Sequence, residues 1–380
     1  MRVLAVSANR SNLIMPAFPL GLSWVSSALK AAGHDVRLLD LRFSERPRRY
    51  LAEVIRAFNP DLVGVSLRNI DNQDMLNPLS FVPEASEVVR VVKAVSDIPV
   101  VLGGSGFSIF PASCMREIAP DFGVAGEGEL SLPMLLRVLE GRGRLEEVPG
   151  LLWREGDELR QNPMVFIEDM GELPVPDHME VDLDLYWRRW GTEGLPGLAA
   201  VQTRRGCDRR CIYCSTPGLE DRRLRLRPRE AVMEEVGLLT RGREDREIHF
   251  VDSLFNIPVK YSAALCGDLS RHCPGIRWRT TYNPSVVDEE LIALMARAGC
   301  RLVMLGNESG CDAMLENLGK GFHLDKVREA VRLIRGYGMR LHLYLLLSGP
   351  GETRESVAES LRFLEQVSPD YATICVGIRI

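Results

Sequence analysis

Three cysteines stand close together in the middle of the chain, in the stretch Gly206–Cys214, which reads GCDRRCIYC. Cys207, Cys211 and Cys214 have the spacing C-x3-C-x2-C, with an aromatic residue directly before the third. Thiolates at this spacing can share one metal centre, but a structural zinc site needs four closed ligands. A four-iron cluster held by three thiolates instead keeps one iron open for a further ligand. The apolar run Leu198–Val201 predicts a strand just before this loop, and α/β barrels carry their chemistry at such strand ends.

The motif resembles the signature of the radical S-adenosylmethionine (SAM) superfamily. The resemblance implies that Cys207, Cys211 and Cys214 bind a [4Fe–4S] cluster whose open iron binds SAM. It also implies that one electron from the cluster cleaves SAM to a 5′-deoxyadenosyl radical. The alternatives for these residues are a zinc knuckle and a fortuitous run of buried thiols. A zinc knuckle needs a fourth ligand nearby, and no further cysteine follows until Cys266.

Length, composition and net charge indicate the general class of protein. The chain has 380 residues, of which 46% are hydrophobic and 26% charged, as in an ordinary globular protein with two or three domains. The net charge of −5 gives no electrostatic case for nucleic acid. The basic run Arg222–Arg227 is the local exception. It is either a solvated strand face or a contact to SAM, to an anionic substrate or to a neighbouring domain.

Cysteine usage predicts the compartment. The nine cysteines are odd in number and irregularly spaced outside Gly206–Cys214. This argues against a disulfide scaffold and favours a reducing, cytoplasmic location. Cys300 and Cys375 lie in apolar runs and are expected in the core. No apolar stretch reaches the length of a transmembrane span.

Residues 1–145 alternate short apolar strands with amphipathic helices. This pattern predicts a doubly wound parallel sheet of the Rossmann type, which binds ligands beyond the carboxyl ends of its strands. The predicted strands are Arg2–Ser7, Asp35–Asp40, Leu62–Leu67, Val100–Leu102 and Phe122–Ala125.

Glycines and polar residues follow the third, fourth and fifth of these strands, and glycine lets a large ligand approach the backbone. They are Ser66, Arg68, Asn69, Gly103, Gly104, Ser105, Gly126, Glu127 and Gly128. With PLGL at 19–22 and AAGHDVRLLD at 31–40, they resemble the cobalamin (B12)-binding domain that precedes many radical SAM domains. The resemblance implies that these nine residues contact cobalamin.

One departure from that family concerns the cobalt ligand. Many cobalamin domains carry D-x-H-x-x-G, whose histidine binds cobalt, and the sequence lacks this motif. His34 reads as a turn residue between a helix and a strand. We therefore expect cobalamin without a protein histidine on cobalt, as in related radical SAM members. The alternative is a sheet domain that has lost the cofactor.

Residues 146–190 read as a connector. Leu151–Arg154 and Glu158–Gln161 flank a turn and predict a hairpin, and the proline-rich segment 173–177 suits neither helix nor central strand. Residues 191–380 then resume the alternation as a partial (β/α)6 radical SAM barrel. Its predicted strands are Leu198–Val201, Glu247–Val251, Ile276–Thr281, Arg301–Leu305, Arg340–Leu347 and Tyr371–Val376.

The sequence ends directly after the sixth predicted strand. A last strand without a covering helix leaves an exposed sheet edge. We therefore expect the chain to be a piece of a longer protein, with its barrel truncated after strand six.

The ends of the predicted barrel strands supply candidates for binding SAM. By resemblance to the superfamily these are Tyr213, Asp252, Ser253, Glu308, Ser309, Gly349 and Gly351. Asp252 and Ser253, with Asn256 behind them, are implied near the SAM amino group, although such residues also cap helices. Glu308 is implied near the ribose or methionyl part and should have a polar partner, because burying an unpaired carboxylate is costly.

The leading interpretation of function is a cobalamin-dependent radical SAM enzyme that methylates an unactivated carbon of a small-molecule or lipid substrate. A cyclase or rearrangement enzyme with the same cofactors is the alternative. A tRNA methylthiotransferase is disfavoured, because such enzymes carry three more N-terminal cysteines and only Cys114 precedes Cys207. A non-catalytic cobalamin or Fe–S sensor is disfavoured too. We expect an electron donor such as flavodoxin or ferredoxin as partner, and no nucleic acid. The sequence assigns no catalytic residue.

Overall fold

The computed structural model describes residues 1–10, 18–72, 74–178, 180–190, 198–242 and 247–377. Its chain forms two compact units. The first comprises Met1–Asn72, Leu79–Glu193 and Gly218–Glu220, and the second comprises Gln73–Pro78, Gly194–Pro217 and Asp221–Ile380. The predicted boundary between connector and barrel falls at 190/191, and residues 191–197 lie outside the described ranges, as do residues 378–380 at the predicted truncation.

The first unit is built on one seven-stranded sheet in the order β2-β1-β3-β4-β5-β6-β7. The first five strands are parallel and the last two are antiparallel. Their bounds are β1 (Arg2–Ser7), β2 (Asp35–Asp40), β3 (Leu62–Ser66), β4 (Val100–Gly103), β5 (Phe122–Val124), β6 (Leu151–Glu155) and β7 (Glu158–Gln161). The doubly wound parallel sheet is thus confirmed, and the hairpin β6–β7 extends it at one edge.

Helices cover this sheet because each presents an apolar face. In α2, for example, Leu51, Val54, Ile55 and Phe58 recur at helical spacing and are all buried. The bounds are α1 (Leu20–Ala31), α2 (Pro47–Phe58), α3 (Val82–Val95), α4 (Ser105–Ile109), α5 (Pro111–Ile118), α6 (Gly128–Leu139) and α7 (Leu183–Trp190).

The second unit holds six parallel strands in the spatial order in which the chain makes them. They are β8 (Leu198–Val201), β11 (Glu247–Phe250), β12 (Arg277–Tyr282), β13 (Cys300–Glu308), β14 (Arg340–Leu347) and β15 (Tyr371–Val376). A short antiparallel pair, β9 (Arg204–Arg205) and β10 (Arg225–Leu226), follows β8. Six consecutive parallel strands confirm the predicted partial barrel, and place all six carboxyl ends on one rim.

Helices alternate with these strands. They are α8 (Thr216–Glu220), α9 (Arg229–Thr240), α10 (Val259–His272), α11 (Glu289–Arg297), α12 (Asp312–Asn317), α13 (Leu324–Gly336) and α14 (Arg354–Val367). Below the rim the core is aromatic: the rings of Phe250, Phe255 and Trp278 lie 5.1 to 5.6 Å apart, in the tilted and edge-on contacts that aromatic pairs prefer. None of the helices within the described ranges is long and apolar enough to cross a membrane.

Candidate functional site

The cysteine loop, Gly206–Cys214, leaves the rim after β8 and is shaped by its first residue. Gly206 has a φ of +90°, and a Cβ there would lie 2.1 Å from the carbonyl oxygen of Arg223. Only glycine fits both the conformation and the space. The Cys207 N–H then donates to the Asp221 carbonyl oxygen at 3.1 Å, so the loop is anchored at the first predicted ligand.

The three cysteines differ in exposure but share one electrostatic environment. Cys207 is buried, Cys211 half-buried and Cys214 exposed. Burial raises the pKa of the Cys207 and Cys211 thiols, and the neighbouring thiols of the loop raise it further. Within the described ranges, no group of three or more His, Cys, Asp or Glu side chains is arranged to hold a single metal ion. Three thiolate donors fit an iron–sulfur cluster that keeps one iron open for a further ligand.

Asp252, at the end of β11, is committed to the protein backbone. Its oxygens accept hydrogen bonds from the Thr203 N–H at 2.7 Å, the Thr203 hydroxyl at 2.6 Å and the Arg204 N–H at 3.2 Å. The Arg204 guanidinium lies 3.7 Å away, and the Asp252 side chain is fully buried. Asp252 therefore accepts three hydrogen bonds from Thr203 and Arg204, and it fixes the exit of β8 into the cysteine loop.

Arg204 completes this support from below. Its guanidinium donates to the carbonyl oxygens of Leu254 at 3.2 Å and Ile257 at 2.5 Å, and to the Ser262 hydroxyl at 3.2 Å. The exits of β8 and β11 are thereby held together by a buried ion pair whose donors are satisfied. Sequence reasoning missed Arg204, which stands before the cysteines and carries no motif of its own.

Glu308 lies at the end of β13, where the strand runs three residues further than predicted. The register with β14 shifts between Leu305 and Glu308, which marks a bulge that re-aims the side chain. Glu308 has a φ of +67°. Its Oε1 lies 3.5 Å from the ammonium of Lys320, which in turn donates to the Tyr213 hydroxyl at 2.9 Å. The predicted polar partner of Glu308 is confirmed, and it is a lysine that sequence reasoning missed.

Positive φ on residues other than glycine is unusual at three positions of the second unit. Three of the six such residues in the described ranges end a helix in the left-handed conformation that is ordinary there: Asn59, Ala119 and Ser368. The other three are Asp221, which follows α8 with φ 73° and ψ 163°, and Glu308 and Ser348, at the ends of β13 and β14. Such strain costs of order 1 to 3 kcal/mol and collects at functional sites.

The turn after β14, Ser348–Glu352, holds its shape with its own side chain. The Ser348 N–H donates to Glu352 Oε2, and Gly351 has a φ of +78°. Gly349 is buried and Gly351 exposed. The predicted SAM residues Gly349 and Gly351 thus lie in a turn whose conformation Glu352 fixes.

Two buried acceptors beside these strained residues lack a partner. They are Asn307 Oδ1, next to Glu308, and Glu352 Oε1, whose twin oxygen holds Ser348. Unsatisfied buried acceptors are rare because each costs free energy. A ligand that carries N–H or O–H donors would satisfy them, and SAM carries both kinds, on its amino group, its adenine and its ribose.

The remaining predicted residues of this rim differ in burial and in hydrogen bonding. Ser309 is buried, and its hydroxyl lies 3.0 Å from that of Ser360. Ser253 is exposed. Asn256 is buried and donates to the carbonyl oxygens of Asn283 and Val286, both at 2.9 Å. Ser309 and Asn256 therefore support the rim, whereas Ser253 lies on its surface.

The basic run 222–227 is not a solvated strand face as a whole. Arg225 and Arg227 are buried, and the Arg227 guanidinium lies 2.6 Å from Glu235 in a fully buried ion pair. The run therefore alternates between interior and surface, as the short strand β10 requires. Arg222, on the surface, donates to the Arg209 carbonyl oxygen of the cysteine loop at 3.2 Å.

In the first unit, the glycines after β4 serve contacts between neighbouring loops. A Cβ at Gly104 would lie 2.6 Å from the Leu67 carbonyl oxygen, and Gly104 has a φ of +100°. The Ser105 hydroxyl donates to the Arg68 carbonyl oxygen at 2.7 Å. The loops after β3 and β4 therefore form one fused surface, on which Arg68 and Asn69 are exposed.

The loop after β5 is fixed in a similar way. The Gly126 N–H donates to the Ser108 hydroxyl at 3.0 Å. Glu127 is buried and accepts the Ile167 N–H at 2.6 Å. A Cβ at Gly128 would lie 3.0 Å from a methyl group of Val25. The predicted cobalamin residues of this loop thus build the edge of the unit, with Glu127 as a structural carboxylate.

The two histidines of the first unit contact the N-terminal amine and an aromatic ring. The His34 ring lies 3.3 Å from the N-terminal amine, before β2 and hence at the edge opposite the strand carboxyl ends. His178 is buried against Phe18, with ring centroids 5.0 Å apart. His34 is a turn residue, as expected.

An unpredicted polar cluster stands at the carboxyl ends of β2 and β3. The Tyr186 hydroxyl donates to Asp40 at 2.6 Å, and the Arg42 N–H donates to the same carboxylate at 3.1 Å. Burial raises the pKa of Tyr186 and of Asp40. Asp40, Arg42 and Tyr186 thus form one hydrogen-bonded group at the ligand-binding edge of the sheet.

Comparison with known families matches both units. The description "Radical SAM superfamily" covers residues 201–364, and "B12 binding domain" covers residues 8–136. An uncharacterised methyltransferase of Pyrococcus horikoshii is 28% identical over 94% of this chain and 75% of its own length. A tryptophan 2-C-methyltransferase of Streptomyces laurentii is 28% identical over 98% of this chain and 72% of its own. An anaerobic magnesium-protoporphyrin IX monomethyl ester cyclase of Synechocystis is 27% identical, over 93% and 69%.

A solved structure supports the same grouping. The radical SAM methyltransferase TsrM from Kitasatospora setae, with cobalamin and a [4Fe–4S] cluster bound, superposes with a TM-score of 0.90. It is 28% identical, and the match covers 100% of this chain and 75% of that one. Both the sheet unit and the barrel unit are therefore those of a known two-domain group.

Proposed function

We propose that this chain, which is a radical SAM enzyme with an N-terminal B12-binding domain, methylates an unactivated carbon of a small-molecule or lipid substrate. The observation that carries the proposal is the barrel rim. It joins a three-cysteine loop to two strained strand ends, Glu308 and Ser348, beside unsatisfied acceptors. A B12-type sheet on the same chain, and relatives named as carbon methyltransferases, favour methyl transfer.

The cofactors of the enzyme are a [4Fe–4S] cluster, SAM and cobalamin. When bound, they supply a 5′-deoxyadenosyl radical that removes hydrogen from the substrate carbon and a methyl group carried by cobalamin. The protein holds these groups, orients them and excludes water and oxygen. Its own residues therefore act mainly by position.

On the rim, each group has a proposed part. Cys207, Cys211 and Cys214 hold the cluster, in a loop that Gly206 turns and Asp252 supports from beneath. Tyr213 lies beside Glu308 and is proposed to line the adenine side together with the Gly349–Gly351 turn. Glu308, Asn307 Oδ1 and Glu352 Oε1 are proposed to accept hydrogen bonds from SAM, because Asn307 Oδ1 and Glu352 Oε1 are buried without a partner and Glu308 lies next to Asn307.

On the sheet unit, the fused loops after β3 and β4 are proposed to carry cobalamin. Their exposed members are Arg68 and Asn69, supported by Ser66, Gly103, Gly104 and Ser105. Gly126–Gly128 form the adjoining edge. We propose that no protein histidine binds the cobalt, because His34 lies at the opposite edge and His178 is packed in the aromatic core.

The second candidate is a cyclase that uses the same cofactors. The observation in its favour is the similarity to the Synechocystis ester cyclase over most of the chain. A methylthiotransferase would need further N-terminal cysteines, and Cys114 is buried in the core of the first unit. A non-catalytic sensor would have no use for the strained acceptors of the rim. We further propose that the enzyme acts on a small-molecule or lipid substrate and takes electrons from a flavodoxin- or ferredoxin-like donor. We also propose that it is cytoplasmic and binds no nucleic acid.

Trideuteromethyl-labelled SAM separates the two candidates. The anaerobically reconstituted enzyme would be incubated with labelled SAM, a reductant and a panel of small aromatic and isoprenoid substrates. Methyl transfer predicts a product heavier by CD3, with S-adenosylhomocysteine and 5′-deoxyadenosine both formed. A cyclase predicts an unlabelled product and 5′-deoxyadenosine alone, and that result would overturn the methylation proposal.

A further inference from the structure

A short turn outside the recognised motifs contacts three parts of the proposed SAM site. This is the α12 turn, Asn317–Lys320, which closes helix α12. It contacts the cysteine loop through backbone and side chain, Glu308 through Lys320, and the Ser348–Glu352 turn through Asn317. Neither the family descriptions nor the motif residues assign it a part.

Its first contact is between backbones. The Leu318 carbonyl oxygen accepts the Ile212 N–H at 3.1 Å, in the middle of the cysteine loop. Next to it, Gly319 has a φ of +68°, and a Cβ there would lie 2.7 Å from the Arg210 carbonyl oxygen. The loop between the second and third cysteines therefore rests directly on the α12 turn, and glycine permits the approach.

Lys320 makes the second contact. Its ammonium donates to the Tyr213 hydroxyl at 2.9 Å and lies 3.5 Å from Glu308 Oε1. It also lies over the rings of Tyr213 and Phe322, 5.5 and 5.6 Å from their centroids. The Lys320 side chain is only 5% exposed. Lysine is almost never this buried unless it is paired, so its charge is committed to Tyr213 and Glu308.

Asn317 makes the third contact. Its Nδ2 donates to the Pro350 carbonyl oxygen at 3.1 Å, and would lie 2.7 Å from a Cβ at Gly351. The turn after β14 is thereby fixed to the same four-residue segment that supports the cysteine loop.

We propose that the α12 turn is a positioning element of the SAM site, with Lys320 as its central residue. Lys320 balances the Glu308 carboxylate beside the cysteine thiolates and aims it, with Tyr213, toward the ligand. The inference rests on the proposed function, since it takes this rim to be the SAM site. Positioning groups behind a cofactor site alter affinity by about 10- to 100-fold when removed.

The test uses Lys320→Met, which keeps the length of the side chain and removes its charge, and Lys320→Arg, which restores the charge. Lys326→Met on α13 is the matched control, because Lys326 is 48% exposed and pairs only with the neighbouring Glu329. All four proteins, the parent included, would be reconstituted anaerobically. Three quantities would be measured: iron per chain, the SAM dissociation constant by calorimetry, and the change in the EPR spectrum of the reduced cluster on addition of SAM.

We expect Lys320→Met to retain iron but to bind SAM about 10- to 100-fold more weakly, with a smaller spectral response. Lys320→Arg should recover most of the affinity, and Lys326→Met should match the parent. Parental affinity and spectrum in an iron-loaded Lys320→Met protein would overturn the inference while leaving the proposed function intact. A parent without iron would instead overturn the proposed function.

Lys320→Met leaves Glu308 without its cation and could therefore fail to fold. Tyr213→Phe then serves as the second variant, because it removes only the hydroxyl that accepts a hydrogen bond from Lys320. An iron-loaded Tyr213→Phe protein should bind SAM more weakly than the parent and show an altered spectral response. Unchanged affinity in that variant would contradict the positioning role of the Lys320–Tyr213–Glu308 group.

Discussion

The strand ends of the two units differ in which residues adopt positive φ. In the sheet unit, positive φ falls on glycine at Gly104 and Gly126, and the Gly104 loop packs on the Leu67 carbonyl. On the barrel rim, positive φ falls on Gly206 and Gly351 but also on Glu308 and Ser348, where glycine would relieve the strain. A strained position that keeps a side chain indicates that the side chain itself is needed. The sheet unit thus presents a fused backbone surface, and the barrel rim presents aimed side chains.

The largest expected effect tests whether the rim alone carries the iron. Replacing Cys207, Cys211 and Cys214 together by alanine should abolish iron binding, because these three thiolates are the proposed ligands of the cluster. Cobalt should be retained, since the sheet unit is untouched. Iron and cobalt per chain after anaerobic purification measure both. Loss of cobalt along with iron would show that the two sites are not independent.

The next effect tests the support beneath the cysteine loop. Asp252→Ala leaves the Arg204 guanidinium buried without its partner, and breaking a buried pair costs about 3 to 5 kcal/mol. The free energy of unfolding of the apoprotein, from urea titration, should fall by that amount. The exposed pair Lys326–Glu329 provides the control, with a loss of less than about 1 kcal/mol in Glu329→Ala. Equal losses in the two variants would contradict the structural role of Asp252.

Gly104→Ala tests the fused loops of the sheet unit. The new Cβ would meet the Leu67 carbonyl at 2.6 Å in a left-handed conformation, so we expect a loss of about 1 to 3 kcal/mol. Cobalt retention should fall while iron retention is unchanged. Gly21→Ala is the control, because a Cβ at Gly21 meets nothing within 4 Å. Equal cobalt content in both variants would contradict a role of this loop in binding cobalamin.

Ser348→Gly tests the strained position on the barrel rim, as Gly104→Ala tests the glycine position of the sheet unit. Glycine relieves the strain at φ +72°, although its freedom in the unfolded chain offsets part of the gain. The net stabilisation should be at most about 1 kcal/mol. SAM should nevertheless bind more weakly, because the Ser348–Glu352 turn loses rigidity. Calorimetry with SAM and urea titration give the two values, and a stabilised variant with tighter SAM binding would contradict the account.

The smallest effect concerns acid pH. Burial, with the nearby Arg279 charge, lowers the pKa of His342 to about 4, from an ordinary value near 6.5. The unfolded chain therefore binds a proton at higher pH than the folded one, and His342 makes the protein less stable as pH falls from about 6.5 to 4. His342→Gln should reduce the loss over this window by on the order of 1 kcal/mol. The same pH slope in both proteins would contradict it.

Much of the fold could be predicted from the sequence because its signals are local. Apolar runs between helical periodicities gave the five parallel strands of the first sheet and the six of the barrel, and the cysteine spacing gave the loop. The carboxyl-end rule placed Glu308 and Gly351 on one rim. Even the need for a polar partner of Glu308 followed from the cost of burying a carboxylate.

The rest depends on contacts between distant segments. Lys320 follows a helix, far in sequence from Tyr213, and only the fold brings them together. The hydrogen bonds that Asp252 accepts from Thr203 and Arg204 join residues far apart in the chain, and no local signal in the sequence indicates them. The glycines after β4 looked like an open ligand surface, but the loop after β3 already lies against them.

Metal content of the parent protein tests the central claim most directly. The chain would be purified anaerobically from cells supplied with hydroxocobalamin, and iron, cobalt and zinc would be quantified together. The account predicts about four irons per chain and about one cobalt. Iron without cobalt would contradict methylation through cobalamin, and zinc in place of iron would contradict the assignment of the cysteine loop.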